Sequence, residues 1–133
     1  MSGLILKLSP KERVLVNGAV LENGDRRTRL SVLTPNINIL RLKDALQPDQ
    51  VKTPVQRVCY IAQLVLSGDA EPAEAALQIL TGIEQLSQVF QDMDSREQLT
   101  KATEALKNED FYRVLKSLRT ILPREARLLR LAQ

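Results

Sequence analysis

The chain predicts an α+β fold, with a small antiparallel N-terminal β-sheet or barrel followed by a C-terminal helical bundle of about four helices. Three observations predict it. Short β-branched and leucine-rich runs, closed by Asn-Gly and Ser/Thr-Pro steps, fill residues 4–42. Beyond residue 54 the apolar residues recur at helical spacing instead. Between the two stands a helix-start signature, Thr53-Pro54 followed by Gln56.

The strand half reads in order. Leu4-Ile5-Leu6-Lys7-Leu8 is closed by Ser9-Pro10, and Arg13-Val14-Leu15-Val16 leads into Asn17-Gly18. Ala19-Val20-Leu21 follows and runs to a second Asn-Gly step, Asn23-Gly24. Asn and Gly tolerate the positive φ angles of tight hairpin turns, so both steps predict turns. Thr28–Leu33 partly alternates before Thr34-Pro35-Asn36, and Ile37–Leu42 continues in the same style. Four or five short strands at this spacing imply a small antiparallel sheet or barrel. The Gln47–Thr53 turn divides the chain into residues 1–50, β-rich, and residues 51–133, α-helical.

In the helical half Thr53 fits an N-cap, Pro54 the first helical position and Gln56 the third residue of a capping box. Val55, Val58, Cys59, Ala62, Val65 and Leu66 form its apolar stripe, and Ser67-Gly68-Asp69 ends it. A second helix starts near Pro72 and presents Ala76, Leu77, Leu80, Ile83 and Phe90. Ser95 with Gln98 repeats the capping-box pattern before Leu99, Ala102 and Leu106, and Asn108 is the expected cap of a fourth helix. That helix carries Phe111, Val114, Leu115, Leu118, Ile121 and Leu122 on one face until Pro123 ends or kinks it. A short Leu/Arg-rich tail follows. These stripes read as the core of a bundle before they read as a binding groove.

Composition narrows the function. The chain has 133 residues, enough for a sizeable core, yet only 3% aromatic residues and no Trp, so that core is aliphatic. The aromatics are Tyr60, Phe90, Phe111 and Tyr112, so base stacking on an aromatic cannot be the main contact in the N-terminal half. Without histidine and with Cys59 alone, neither an intramolecular disulfide nor the Ser-His and Cys-His catalytic pairs can form. A transition-metal site is not expected on the same ground. Carboxylate pairs such as Glu109-Asp110 and Asp92 with Asp94 fall at helix starts, where anions are favoured electrostatically, and Gly18 and Gly24 form no phosphate-cradling loop. Neither an enzyme nor a bound cofactor is expected. No apolar run approaches the roughly 20 residues of a membrane span, and the N-terminus lacks a secretory pattern. The expectation is a cytoplasmic protein with no membrane partner.

Net charge is +3, and its distribution says more. Residues 1–50 carry eight Lys/Arg against five Asp/Glu, residues 69–110 three against ten, and residues 111–133 six against one. Two basic ends around an acidic middle suggest an anionic partner, mutual docking of the segments, or solvated faces. In extended chain Arg27 and Arg29 point to one side and Arg26 to the other, while Arg41 and Lys43 form a second same-side pair. Such pairs can grip phosphate or a purine edge. Were those two strands neighbours, four cations would gather on one sheet surface suited to RNA loops. The same residues also serve to keep a strand soluble and to block edge pairing. Lys7, Lys11 and Arg13 are secondary phosphate-contact candidates. The helical series Arg113, Lys116, Arg119 reads first as a solvated face.

Several of these pieces resemble the FlbT family of flagellin-expression regulators of bacterial flagellar systems. They are Asn17-Gly18-Ala19-Val20, Asn23-Gly24-Asp25-Arg26-Arg27, Leu40-Arg41-Leu42-Lys43-Asp44, Gln47-Pro48-Asp49 and Thr53-Pro54, and their order and spacing make the match specific over residues 4–60. The resemblance implies a post-transcriptional repressor that binds the 5′ untranslated region of flagellin messenger RNA and lowers its translation or lifetime. A second similarity, of the N-terminal half alone, is to the carbon storage regulator (CsrA) family of RNA-binding proteins. Leu4-Ile5-Leu6, Glu12-Arg13-Val14-Leu15-Val16 and Thr34-Pro35 before Leu40-Arg41 echo its strand order. Its first basic contact would fall near Lys7 or Leu8, and Arg41 is the nearest counterpart of its second.

The RNA-contact candidates are therefore Arg26, Arg27, Arg29, Arg41 and Lys43, with Lys7, Lys11 and Arg13 behind them. The alternative function is a protein-binding adaptor of flagellar assembly, in which the helical half docks flagellin or another flagellar regulator. Its basis is the acidic 69–110 segment beside amphipathic helices able to seat a partner. Self-association is compatible with either.

Overall fold

Five strands precede five α-helices in the computed structural model, which describes residues 4–35 and 37–131. The strands are β1 (Leu4–Leu8), β2 (Arg13–Val16), β3 (Ala19–Glu22), β4 (Thr28–Val32) and β5 (Ile39–Arg41). All pairings are antiparallel, and they build two sheets: β1 with β4, and the order β3-β2-β5. The α+β class expected from the sequence is what the chain adopts. Asn36, within one of the expected turns, lies outside the described residues.

Alternation along β2 and β5 explains how the layers stack. Val14, Val16 and Ile39 face a small core shared with Leu6 and Leu8 of β1. Leu15 and its register partner Leu40 face the opposite way, into the helices. The three-stranded sheet is thus the middle layer, buried on both sides along β5 and open along β3, whose residues are all exposed.

The two Asn-Gly steps behave differently. Asn17 and Gly18 have φ of 48° and 86° and form the two-residue hairpin between β2 and β3. Asn23-Gly24 is not a hairpin, because the chain leaves β3 there and crosses to the other sheet. Asn23 holds the crossing with its side chain. Its Nδ2 donates to the Ser9 and Arg26 carbonyls at 2.8 and 2.9 Å, and its Oδ1 accepts from the Thr28 hydroxyl at 2.9 Å.

Two single-turn 3-10 helices, Leu42–Asp44 and Pro48–Gln50, join the layers. The Gln63 side chain pins the joint, since its amide accepts from Leu46 N–H and donates to Leu46 C=O, both at 2.8 Å. The helices are α1 (Pro54–Leu66), α2 (Pro72–Val89), α3 (Met93–Lys107), α4 (Phe111–Arg119) and α5 (Leu122–Leu131). The Thr53/Gln56 capping box forms as expected. So does the Gly68 terminator, with φ of 85°.

Three helix readings are corrected. On α2 the buried residues are Ala75, Ile79, Ile83 and Leu86, whereas Leu77 is 68% exposed and Leu80 also faces solvent. The α3 cap is Asp92, which accepts from Ser95 N–H at 3.0 Å, and Ser95 lies inside the helix. Asn108 closes α3, and Asp110 is the cap of α4. In both cases a carboxylate near the expected cap took its place, an arrangement the positive helix N-terminus favours. The Leu/Arg-rich tail is helical, with Pro123 in the first turn of α5, where its missing N–H costs nothing.

α5 is fixed chiefly through its first turn. Glu125 is buried and accepts from the Thr53 hydroxyl and, at 2.9 Å, from Val55 N–H, so it supplements the cap of α1. Arg124 donates to Ser95 Oγ at 2.7 Å and pairs with Asp92 and Asp94 at 3.2 and 3.1 Å. One arginine of the basic tail thus docks on the acidic middle segment. From Ala126 onward the helix is exposed. Among the described residues no helix is long and apolar enough to cross a membrane, and no cluster of His, Cys, Asp and Glu could hold a metal ion.

Candidate nucleic-acid interface

The cations of the strand half divide by what they touch. β1 and β4 pair with Lys7 opposite Arg29, so these two share the face that also carries Ile5. Leu8, by contrast, is buried, so of the two positions near the end of β1 only Lys7 can meet a ligand. Arg29 lies on β4, but Arg27 precedes the strand and Arg26 sits in the bend before it; both are exposed.

Arg41 is engaged within the protein. Its Nε and Nη2 donate to the two carboxylate oxygens of Glu12 at 2.6 and 2.7 Å, and Nη2 also donates to the Lys7 carbonyl at 2.6 Å. Glu12 is buried and further accepts from Ser9 N–H at 2.9 Å. The Arg41 hydrogen bonds, opposed by burial and helped by Ser9, hold its carboxyl at about 2. Lys43 lies on the 3-10 turn beyond β5, its Nζ 4.0 Å from Glu12. Lys11 pairs with Asp25 and Arg13 with Glu22, each at 2.9 Å and exposed.

The two arginine strands are not neighbours, so the condition for gathering four cations on one sheet surface is not met. β4 belongs to one sheet and β5 to the other, because the β2–β3 hairpin is inserted between β1 and β4. The convergence happens by another route. α4 lines a cleft of about 450 Å³ together with β1, β4, β5 and the first 3-10 turn. Lys7, Arg29 and Arg41 come to it from the strands, and Lys116 and Arg119 from α4. Leu4, Ile5, Ile39, Leu40 and Leu115 give it an aliphatic wall, and Tyr112 an aromatic one.

Of the residues that sequence reasoning placed in the site, Lys7, Arg29 and Arg41 meet here. Arg26, Arg27, Lys11, Arg13 and Lys43 do not line the cleft. Lys116 and Arg119, read as a solvated face, do. Their three-residue spacing was visible, but nothing local says that α4 turns that face toward the strands. Arg113, the first of the series, pairs instead with Asp110 at 3.1 Å. Arg119 is tied to Asp44 at 3.1 Å, which fixes the 3-10 turn to α4. Burial raises the Tyr112 hydroxyl above its usual value, and the charge of Arg41 partly offsets it. Cys59 is inert by contrast: burial pushes its thiol up to about 12.

Chemically, this is a cation-rimmed, apolar-walled groove, fit to hold an anion attached to a flat or greasy group. Comparison with known proteins adds an identity. The family profile described as "Flagellar protein FlbT" matches residues 4–129. The "Flagellum biosynthesis repressor protein FlbT" of Caulobacter vibrioides (strain ATCC 19089 / CIP 103742 / CB 15) is 49% identical over 57 residues, which is 43% of this chain and 40% of that protein. The "Probable flagellum biosynthesis repressor protein FlbT" of Brucella abortus (strain S19) is 30% identical over 124 residues, 93% of this chain and 80% of the relative. The protein of that name from Brucella melitensis biotype 2 (strain ATCC 23457) matches to the same extent. The match thus spans about two fifths of the Caulobacter relative and about four fifths of the Brucella ones. No solved structure matches the chain.

Proposed function

This chain belongs to the FlbT family, and on that footing we propose that it is a flagellar regulatory repressor that acts on flagellin messenger RNA. It binds the untranslated leader before the coding sequence and lowers translation or message lifetime. The observation that supports this reading is the gathering of Lys7, Arg29, Arg41, Lys116 and Arg119 around one cleft by four separate elements. Phosphate contacts of this kind position an RNA, and their strength depends on counterion release. The test is binding of a flagellin leader RNA over a salt series. Affinity should fall as salt rises, and Arg29→Ala with Lys116→Ala should weaken it at least tenfold at low salt. Unchanged affinity in that double variant removes the cleft from the site.

A second reading, a protein-binding adaptor of flagellar assembly, has its own support. Leu77 and Leu80 on α2 and Leu128, Leu129 and Leu131 on α5 are exposed apolar residues on helical faces. Capture of flagellin by the full chain after nuclease treatment, lost in Leu77→Glu or Leu128→Glu, would favour it.

A further inference from the structure

We propose that the cleft seats one unpaired nucleotide of a single-stranded RNA, with its base on the Tyr112 ring and its flanking phosphates on Lys7, Arg29 and Lys116. The proposal rests on the RNA-binding reading above and specifies what that site accepts.

Four observations carry it. First, the strand half has no aromatic residue, so a strand-only surface could grip phosphates but not stack a base. The fold supplies the missing ring from the far half of the chain, because α4 brings Tyr112 to the cleft that Leu4, Ile39 and Arg41 also line. Second, Tyr112 is the aromatic placed for this. Phe90 and Phe111 are 4% and 3% exposed and belong to the helical core, and Tyr60 does not line the cleft. Tyr112 is half-buried and packs against both apolar clusters, so its ring is held rather than free to swing.

Third, the charges sort into two sets. Arg41 is bound to Glu12 and Arg119 to Asp44, so the one carboxylate that lines the cleft among the described residues is already neutralised. Lys7, Arg29 and Lys116 form no ion pair among the described residues, so a phosphate can take them without breaking one. Fourth, a volume of about 450 Å³ lies in the lower part of the range typical of sites that enclose small ligands. An RNA duplex keeps its bases stacked inside and presents only backbone and groove edges, so it has nothing to place on the aliphatic wall. A single strand does.

The test uses the full chain and two probes, a ten-nucleotide single-stranded RNA carrying 2-aminopurine at its centre and the same strand annealed to its complement. The single strand should bind at least tenfold tighter than the duplex at equal salt, and 2-aminopurine fluorescence should be quenched on binding. Tyr112→Leu should lose roughly tenfold in affinity, the scale of one base–aromatic stack, while Tyr112→Phe keeps most of it. Lys116→Ala, at an exposed position, should weaken binding several-fold with an unchanged melting temperature. Equal binding of strand and duplex overturns the proposal. So does a folded Tyr112→Leu variant with full affinity; if that variant does not fold, absence of quenching in the unmodified protein decides against it. If neither probe binds at all, the RNA-binding reading itself falls. If both bind and only Lys116→Ala matters, the cleft binds backbone alone.

Discussion

The two halves of this molecule are held together by different physics. The helical half rests on one large aliphatic core in which Val55, Ala62, Ile79, Val114, Leu118 and Ile121 are sealed from solvent. The strand half has a core of four buried residues, Leu6, Leu8, Val14 and Ile39, and relies on directional polar contacts to finish the job. Glu12 clasps Arg41, and Asn23 clasps the crossing between sheets. Non-directional packing tolerates small shifts, whereas a buried ion pair fixes position. That is what a half presenting charges to a ligand requires. Arg41 illustrates the consequence: it lines the cleft, yet its hydrogen bonds are committed to Glu12 and Lys7, so it shapes the site.

The largest test of this contrast is Arg41→Met, which leaves the Glu12 carboxylate buried without its partner. Removing one member of such a pair costs about 3–5 kcal/mol. Urea denaturation should show that loss, and Glu12→Leu with Arg41→Met together should recover most of it. The pair also sets a pH dependence. The Glu12 carboxyl lies at about 2 when folded against an ordinary 4.5, so the folded state favours the ionised form. Its contribution is therefore full above 4.5 and is lost as pH falls toward 2. A steep decline in the unfolding midpoint between pH 4.5 and 2.5, reduced in the double variant to what the lowered Glu22 and Asp92 carboxyls contribute, is the expected result. An identical decline in both would assign the acid sensitivity elsewhere.

Leu118→Ala is the counterpart in the helical half. Leu118 is fully buried, and truncating such a leucine costs about 3 kcal/mol through lost transfer energy and a residual cavity. This loss should be nearly the same at pH 7 and pH 4, since no charge is involved. A pH-dependent loss would blur the distinction between the halves.

Next comes Gly82→Ala. A Cβ at Gly82 would stand 2.6 Å from Val58 Cγ2, so α2 approaches α1 as closely as glycine allows. Overpacking against a buried β-branched side chain costs about 1–3 kcal/mol, partly offset by the better helix propensity of alanine. A net loss of about 1 kcal/mol in thermal melting is expected. A gain would mean that the α1–α2 contact relaxes freely.

Sequence patterns exposed the parts of this structure that are local. The Thr53-Pro54/Gln56 start of α1, the Gly68 stop and the Asn17-Gly18 hairpin each depend on a few adjacent residues, and each formed as read. The α3 and α4 caps failed because Asp92 and Asp110 stood close to Ser95 and Asn108, and the pattern does not rank neighbours. The α2 stripe failed for a different reason: leucine and alanine recur on two faces, and only packing chooses between them. Of the candidate site, Lys7, Arg29 and Arg41 were legible as cations, but their meeting place was not. It depends on an inserted hairpin that separates β4 from β5 and on α4 returning from the far end of the chain. Glu12 was invisible as a clasp, since its partner lies 29 residues on.

The smallest prediction separates the two Asn-Gly steps, which look alike in sequence. Gly18 sits at φ of 86°, where a Cβ is strained even though no atom lies within 4 Å of it. Gly18→Ala should therefore cost about 1 kcal/mol. Gly24 has neither a positive φ nor a close neighbour. Gly24→Ala should stay within about 0.5 kcal/mol of the unmodified protein. The second step depends on its asparagine instead, because the Asn23 amide binds the Ser9 and Arg26 carbonyls. Asn23→Ala should cost more than Gly24→Ala, by about 1 kcal/mol. Paired melting curves of the three variants check this. Equal losses at Gly18 and Gly24 would mean that both steps work by backbone conformation, and the strand half would then owe less to its polar clasps than the geometry indicates.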